Sequence, residues 1–135
     1  MILYDEAVLE KYSAQQVESL IADELPMSNE ATTNSLIDLQ FNLVYTGELP
    51  YVLATNDSNV ELNVFRQNEA VKLLRDQYQA DLVVLVGEFH EICGRGYVNF
   101  YTQDYHEAFG YSLVDVDCLE GRTTTHELGH NLGAN

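Results

Sequence analysis

The sequence predicts an α/β fold: a mixed, mostly parallel five-stranded sheet with helices packed on it and a last helix at the C-terminal end. Three observations lead there. Five short segments carry strand patterns, and one of them, Asp81-Leu-Val-Val-Leu-Val-Gly87, is nearly all apolar, as a strand covered on both faces must be. Segments with apolar residues at helical spacing alternate with the strands, the order of an α/β layer. The chain has 135 residues, 46% hydrophobic and 21% charged, which suits one domain with a packed core and excludes a disordered acidic tail.

The elements follow in order. Residues 2–4 form a first strand. Ser13-Ala-Gln-Gln16 is a capping box that opens a helix with Val17, Leu20, Ile21 and Leu25 on one face, and Pro26 is expected to kink or restart it. Residues 36–45 alternate, with Ile37, Leu39, Phe41, Leu43 and Tyr45 against Asp38, Gln40 and Asn42, which predicts a half-buried strand ended by the Thr46-Gly-Glu-Leu-Pro50 segment. A polar stretch, 55–59, leads into a helix over 60–78 with Val64, Val71, Leu74 and Tyr78 on one side. The apolar run 81–87 is expected at the centre of the sheet. Strands over 97–101 and 111–116 flank a loop containing His106, Glu107 and Gly110, and the last helix opens between Arg122 and Thr125. All helices but the last are expected to pack on the sheet.

Charge narrows the function classes. Twenty-two acidic residues against 6 basic ones give a net charge of −16, a field that repels phosphate backbones and anionic membranes, so nucleic acid and membrane are excluded as partners. The nine tyrosines, without a basic groove, read as strand and core residues rather than a base-stacking platform. No stretch reaches the roughly 20 apolar residues of a membrane span. Asp5, Glu6 and Glu10 occupy the window of a secretory signal, so none is visible. The chain is cytosolic, or it is a secreted, extracellular protein whose signal and pro-segment lie outside this chain; the start within a strand favours the second. Cys93 and Cys118 belong to no Cys-x-x-Cys pair, which argues against a zinc ribbon or a redox motif. Two alternatives remain: a disulfide contributing about 3 kcal/mol in an oxidising compartment, or two free buried thiols.

The chemistry sits at the C-terminal end. His126 and His130 are four apart, which on a helix puts both imidazoles on one face, one turn apart, able to grip one ion. Glu127 lies about 100° further round and can sit beside a metal-bound water without becoming a ligand. Zinc lowers the pKa of such a water to about 7, and a glutamate can take its proton as the hydroxide attacks a carbonyl carbon. A His-Glu-x-x-His match arises by chance in fewer than roughly one chain in a hundred of this size. Gly129 is a poor helix former inside the helix, and Gly133 stands where the helix must end with positive φ.

The segment HELGHNLGAN, residues 126–135, resembles the first ten positions of the metzincin zinc signature, and most resembles the reprolysin-like metzincins and the bacterial peptidyl-Asp metallopeptidases. The resemblance implies His126 and His130 as zinc ligands, Glu127 as general base and Gly133 as the turn. It extends weakly upstream. An apolar strand such as DLVVLV precedes Cys93-Gly94-Arg95-Gly96-Tyr97, which would be the edge strand on which substrate pairs, and YSLVDVDC precedes the zinc helix. Pairing of Cys93 with Cys118 is likewise implied. The family usually has alanine where Gly96 stands.

The expected protein is therefore a zinc metalloendopeptidase, or its N-terminal fragment, acting on protein or peptide substrates by Glu-assisted attack of a zinc-bound water. Residues 1–135 would be the upper subdomain of a metzincin-like catalytic domain, with the lower subdomain absent. Two departures stand beside that. The third histidine would fall just after Asn135, and the methionine turn is missing, since the only methionines are Met1 and Met27. His90 and His106 read as solvated loop residues; the carboxylate of Asn135 is the remaining candidate third ligand. Asp115, Asp117 and Glu120 lack the spacing of a calcium loop and read as solvated acidic surface. The alternative to an enzyme is a truncated or vestigial module that binds metal weakly or serves as a binding domain.

Overall fold

The computed structural model describes residues 1–55, 57–99 and 107–134. Its elements are β1 (Ile2–Tyr4), α1 (Glu6–Lys11), α2 (Ala14–Asn34), β2 (Thr46–Glu48), α3 (Ser58–Gln67), α4 (Glu69–Tyr78), β3 (Val83–Gly87), β4 (Gly94–Gly96), β5 (Tyr111–Asp115) and α5 (Thr123–Asn131), with 3₁₀ turns at Glu107–Phe109 and Val116–Gly121. The sheet order is β2-β1-β3-β5-β4. The first four strands run parallel, and β4 closes one edge antiparallel to β5. The mixed, mostly parallel five-stranded sheet expected from the sequence is present.

Alternation along the strands sorts side chains into two cores. Leu3, Val83, Leu85 and Leu113 face Leu62 and Phe65 of α3 and Val71 of α4. On the other face Ile2, Tyr4, Val84, Val86 and Val114 meet Val8 of α1, Val17 and Ile21 of α2, and Leu128 of α5. The central strand β3 is buried throughout, because helices cover both its faces.

Several elements differ from expectation, each for a local reason. The helix after Ser13 does not restart at Pro26: the capping box forms, and α2 runs as one helix to Asn34. Glu24 and Ser28 are buried on either side of the proline, so packing outweighs the backbone hydrogen bond that Pro26 removes. Residues 39–43 do alternate between half-buried and exposed, but they form no ladder. Their main-chain groups are taken by α2 instead. Asn29 donates to the Phe41 carbonyl (3.0 Å) and accepts from the Phe41 amide (2.7 Å), and the Thr32 hydroxyl donates to the Leu39 carbonyl (2.9 Å). Pairing with β1 begins only at Thr46, within the segment expected to end the strand.

The helix expected over 60–78 is two helices. Asn68 leaves the helical region (φ −67°, ψ 121°), and its side chain accepts from the amides of Ala70 and Val71, capping α4. Helix α1, capped by Asp5, has no counterpart among the expected elements. Of the strand expected over 97–101, residues 97–99 form none and 100 and 101 lie outside the described residues; the edge strand is Gly94–Gly96, inside the segment 93–97 that the resemblance implies. Finally, α5 packs on the sheet like the other helices, through Leu128.

Candidate active site

Helix α5 begins at an N-cap residue, Arg122, that is left-handed (φ 64°) and offers no side-chain cap. It ends in a Schellman turn: the Ala134 amide reaches the Gly129 carbonyl, the Gly133 amide reaches that of His130, and Gly133 takes φ 95°. A Cβ on Gly133 would also stand 3.0 Å from the Asn99 carbonyl oxygen, so conformation and space both call for glycine. The chain turns back here as the sequence predicts.

His126 and His130 lie one turn apart on α5, ring centroids 4.4 Å from each other. The Nδ1 of His130 is 2.9 Å from the Ala134 carbonyl oxygen. A carbonyl can only accept, so Nδ1 is the donor of this bond, and Nε2 is the ring nitrogen left to face a metal. Two imidazoles on one face, one of them held in orientation by the main chain, fit a zinc ion as two of its ligands. Among the described residues no group of three or more His, Cys, Asp or Glu side chains is placed to hold a metal. His90 is exposed beside Glu88, its Nε2 3.7 Å away; His106 and Asn135 lie outside the described residues.

Glu127, 4% exposed, lies beneath β4. A Cβ on Gly94 would stand 2.5 Å from its Oε1, and one on Gly96 3.0 Å from its Oε2, so two glycines make room for the carboxylate under the strand. Burial pushes the Glu127 carboxyl above the ordinary range, against the pull of His126, His130 and Arg95. Asn131, fully buried and one turn further on, donates to the carbonyls of Tyr97 (2.9 Å) and Tyr111 (3.2 Å). The sequence reading missed this residue. Its signal was legible as a polar stripe, Thr124, Glu127 and Asn131, at helical spacing on the inward face.

The edge strand brings together the expected segment 94–97. The Asp115 amide donates to the Cys93 carbonyl, and the Tyr97 amide to that of Tyr111, so odd-numbered residues turn toward β5. Gly94 and Gly96 therefore turn their amides and carbonyls to the free edge. Arg95 faces α3, its Nε donating to the Ser58 hydroxyl (3.0 Å), and Arg66 of α3 stacks over the Tyr97 ring at 4.9 Å. Cys93 and Cys118 form a disulfide, Cα atoms 5.4 Å apart, tying the start of β4 to the turn before α5.

The acidic group expected at the surface divides. Asp117 and Glu120 are exposed, but Asp115 is buried, accepting from the amides of Phe89, His90 and Asp117. The end of β5 needs it to hold the turns that follow β3 and β5, which correlates with burial rather than solvation.

Residues 19–135 match the family described as Metallo-peptidase family M12B Reprolysin-like. The chain belongs to this family. It is 30% identical to the Peptidyl-Asp metalloendopeptidase of Pseudomonas aeruginosa, over 98% of this chain and 24% of that protein. It thus spans about a quarter of the length of the curated relative it matches. In fold it is similar to a chain in a solved structure titled "Structure of a chaperone-substrate complex", with a TM-score of 0.82 and 18% identity, over 98% of this chain and 22% of that one.

Proposed function

We propose that the chain is the upper, N-terminal part of a zinc metalloendopeptidase catalytic domain, in which His126 and His130 hold zinc and Glu127 is the general base. The observation that carries this is the position of Glu127, a buried carboxylate on the helix of the paired imidazoles and directly beneath the free edge of β4. A peptide adding antiparallel to that edge bonds to the main chain of Gly94 and Gly96, which presents its scissile carbonyl along the line of the site. When bound, zinc supplies Lewis acidity toward water and carbonyl oxygen. Glu127 takes a proton from the attacking water as the C–O bond forms, and returns it to the amide nitrogen as the C–N bond breaks.

The name of the Pseudomonas relative speaks of peptidyl-Asp. A preference for acidic side chains is supported here by Arg66 and Arg95, two of only six basic residues, which flank the α3 side of β4 and make no ion pair among the described residues. The disulfide, and the lack of any helix among the described residues long and apolar enough to cross a membrane, support an extracellular protein.

A second reading, a module that holds metal weakly and cuts nothing, is favoured by the presence of two rather than three clustered ligands among the described residues. Calorimetric zinc titration separates the two, using the chain, its His126→Ala variant and a version with one histidine added after Asn135. Tight 1:1 binding lost in His126→Ala supports the enzyme and justifies peptidase assays. Weak binding in the chain, unchanged by the added histidine, supports the module.

A further inference from the structure

The interface between α2 and α5 contains polar groups that the proposed chemistry does not use. Glu24 is 2% exposed, at the middle of α2, and neither of its carboxyl oxygens has a hydrogen-bond partner of good geometry among the described residues. It lies against the hydroxyl of Thr124, itself buried and likewise without a partner, and near the charge of Arg122. One turn along the same face of α2, the Ser28 hydroxyl is 2.8 Å from that of Thr125. These contacts meet α5 in its first turn, immediately before His126.

That turn lacks local support. Arg122 supplies no side-chain cap, and the first amide bonded within the helix is that of His126, to the Arg122 carbonyl. The amides of residues 123–125 are the orphans of a helix start, and nothing on α5 itself orients them. Side chains of α2 reach this turn. A buried carboxyl costs stability wherever it is not needed, and burial raises the Glu24 pKa accordingly. An apolar side chain of similar length would pack in its place at less cost, so its presence at this one point calls for a role.

We propose that Glu24 is a positioning residue for the helix of the histidine pair: from α2, through Thr124 and with Ser28 acting through Thr125, it sets the first turn of α5 and hence the placement of His126 and Glu127 against β4. The role rests on the reading of α5 as the metal-binding helix. It is not a contact with metal or substrate, so a merely structural role would show as a change in overall stability without a local signature.

The experiment compares the chain with Glu24→Gln, Glu24→Met and Ser28→Ala, by native amide hydrogen exchange without metal and by titration with zinc alone. In Glu24→Met the amides of 126–128 are expected to exchange about tenfold faster while those of α3 keep their protection, and Glu24→Gln, which keeps an acceptor, stays near the parent. Zinc affinity is expected to fall by about fivefold in Glu24→Met and to hold in Glu24→Gln. Unchanged exchange over 126–128 in Glu24→Met, an equal rise in α3, or identical behaviour of the Met and Gln variants overturns the proposal. Should Glu24→Met not fold, Ser28→Ala decides: faster exchange confined to 126–128 supports it, and unchanged exchange overturns it. If the parent takes up no zinc, the metal-helix reading fails by itself, and the exchange data still decide the role of Glu24 in setting α5.

Discussion

The carboxylate of Glu127 lies directly beneath the main chain of Gly94, so close that a Cβ built on that glycine would stand 2.5 Å from Oε1 and 2.8 Å from Cγ. The edge strand and the charged helix can approach this closely only because the strand carries glycine at alternate positions. Gly96 repeats the arrangement less tightly, 3.0 Å from Oε2 and 3.2 Å from the Glu127 carbonyl.

Gly94→Ala therefore forces either the strand or the carboxylate to move, and is expected to destabilise the fold by about 1–3 kcal/mol, the range for an overfilled core. Gly96→Ala has a few tenths of an ångström to find and should cost less. Urea denaturation of the two variants checks the order, and equal losses would show that Glu127 does not hold β4 at this distance.

Asn131 is the second link between α5 and the edge. Asn131→Leu removes both donors and leaves the Tyr97 and Tyr111 carbonyls without them, an expected loss of about 1–3 kcal/mol. Amide exchange in β4 should rise with it. Protection of β4 equal to that of the parent would place the restraint elsewhere.

Glu61 predicts a pH dependence. It is fully buried, and although the Tyr51 hydroxyl donates to its Oε1 at 2.7 Å, desolvation dominates and raises its pKa above the ordinary 4.5. The native state then keeps a proton that the unfolded chain has released, so stability falls as pH rises from 4.5 through the raised value, and stays lower above it. Glu61→Gln lacks that loss. Denaturation curves from pH 4 to 8 should show its stability rising relative to the parent across this window; a flat difference would mean the carboxyl is not desolvated.

Zinc should stabilise the parent and not His126→Ala. At a hundredfold excess of free zinc over its dissociation constant the expected gain is about 2.7 kcal/mol, read as a shift in Tm. Equal shifts in both proteins would place the ion away from the histidine pair.

Local patterns carried much of this protein in plain view. The all-apolar run at 83–87, the Ser13 capping box, the four-residue step from His126 to His130 and the φ-positive Gly133 each depend on residues near one another in the chain, and each stands where the pattern puts it. What the pattern misread was where hydrogen bonds go. The alternation at 39–43 was real, but only the folded chain reveals that Asn29 and Thr32 take the main-chain groups a neighbouring strand would have used. Similarly, Pro26 lies in an unbroken α2 because distant packing on both sides of it outweighs a local penalty.

By itself, then, the sequence determined the sheet's central strand, the helix that carries the histidines and the residue types of the candidate site, because each follows from side-chain period and backbone preference over a few residues. Only the tertiary structure decided that Glu127 sits under Gly94 and Gly96, that Asn131 ties α5 to the strand beside it, and that Glu24 is buried against Thr124. Those are contacts between elements far apart in the chain, and their distances depend on how closely two surfaces pack, which no local period encodes.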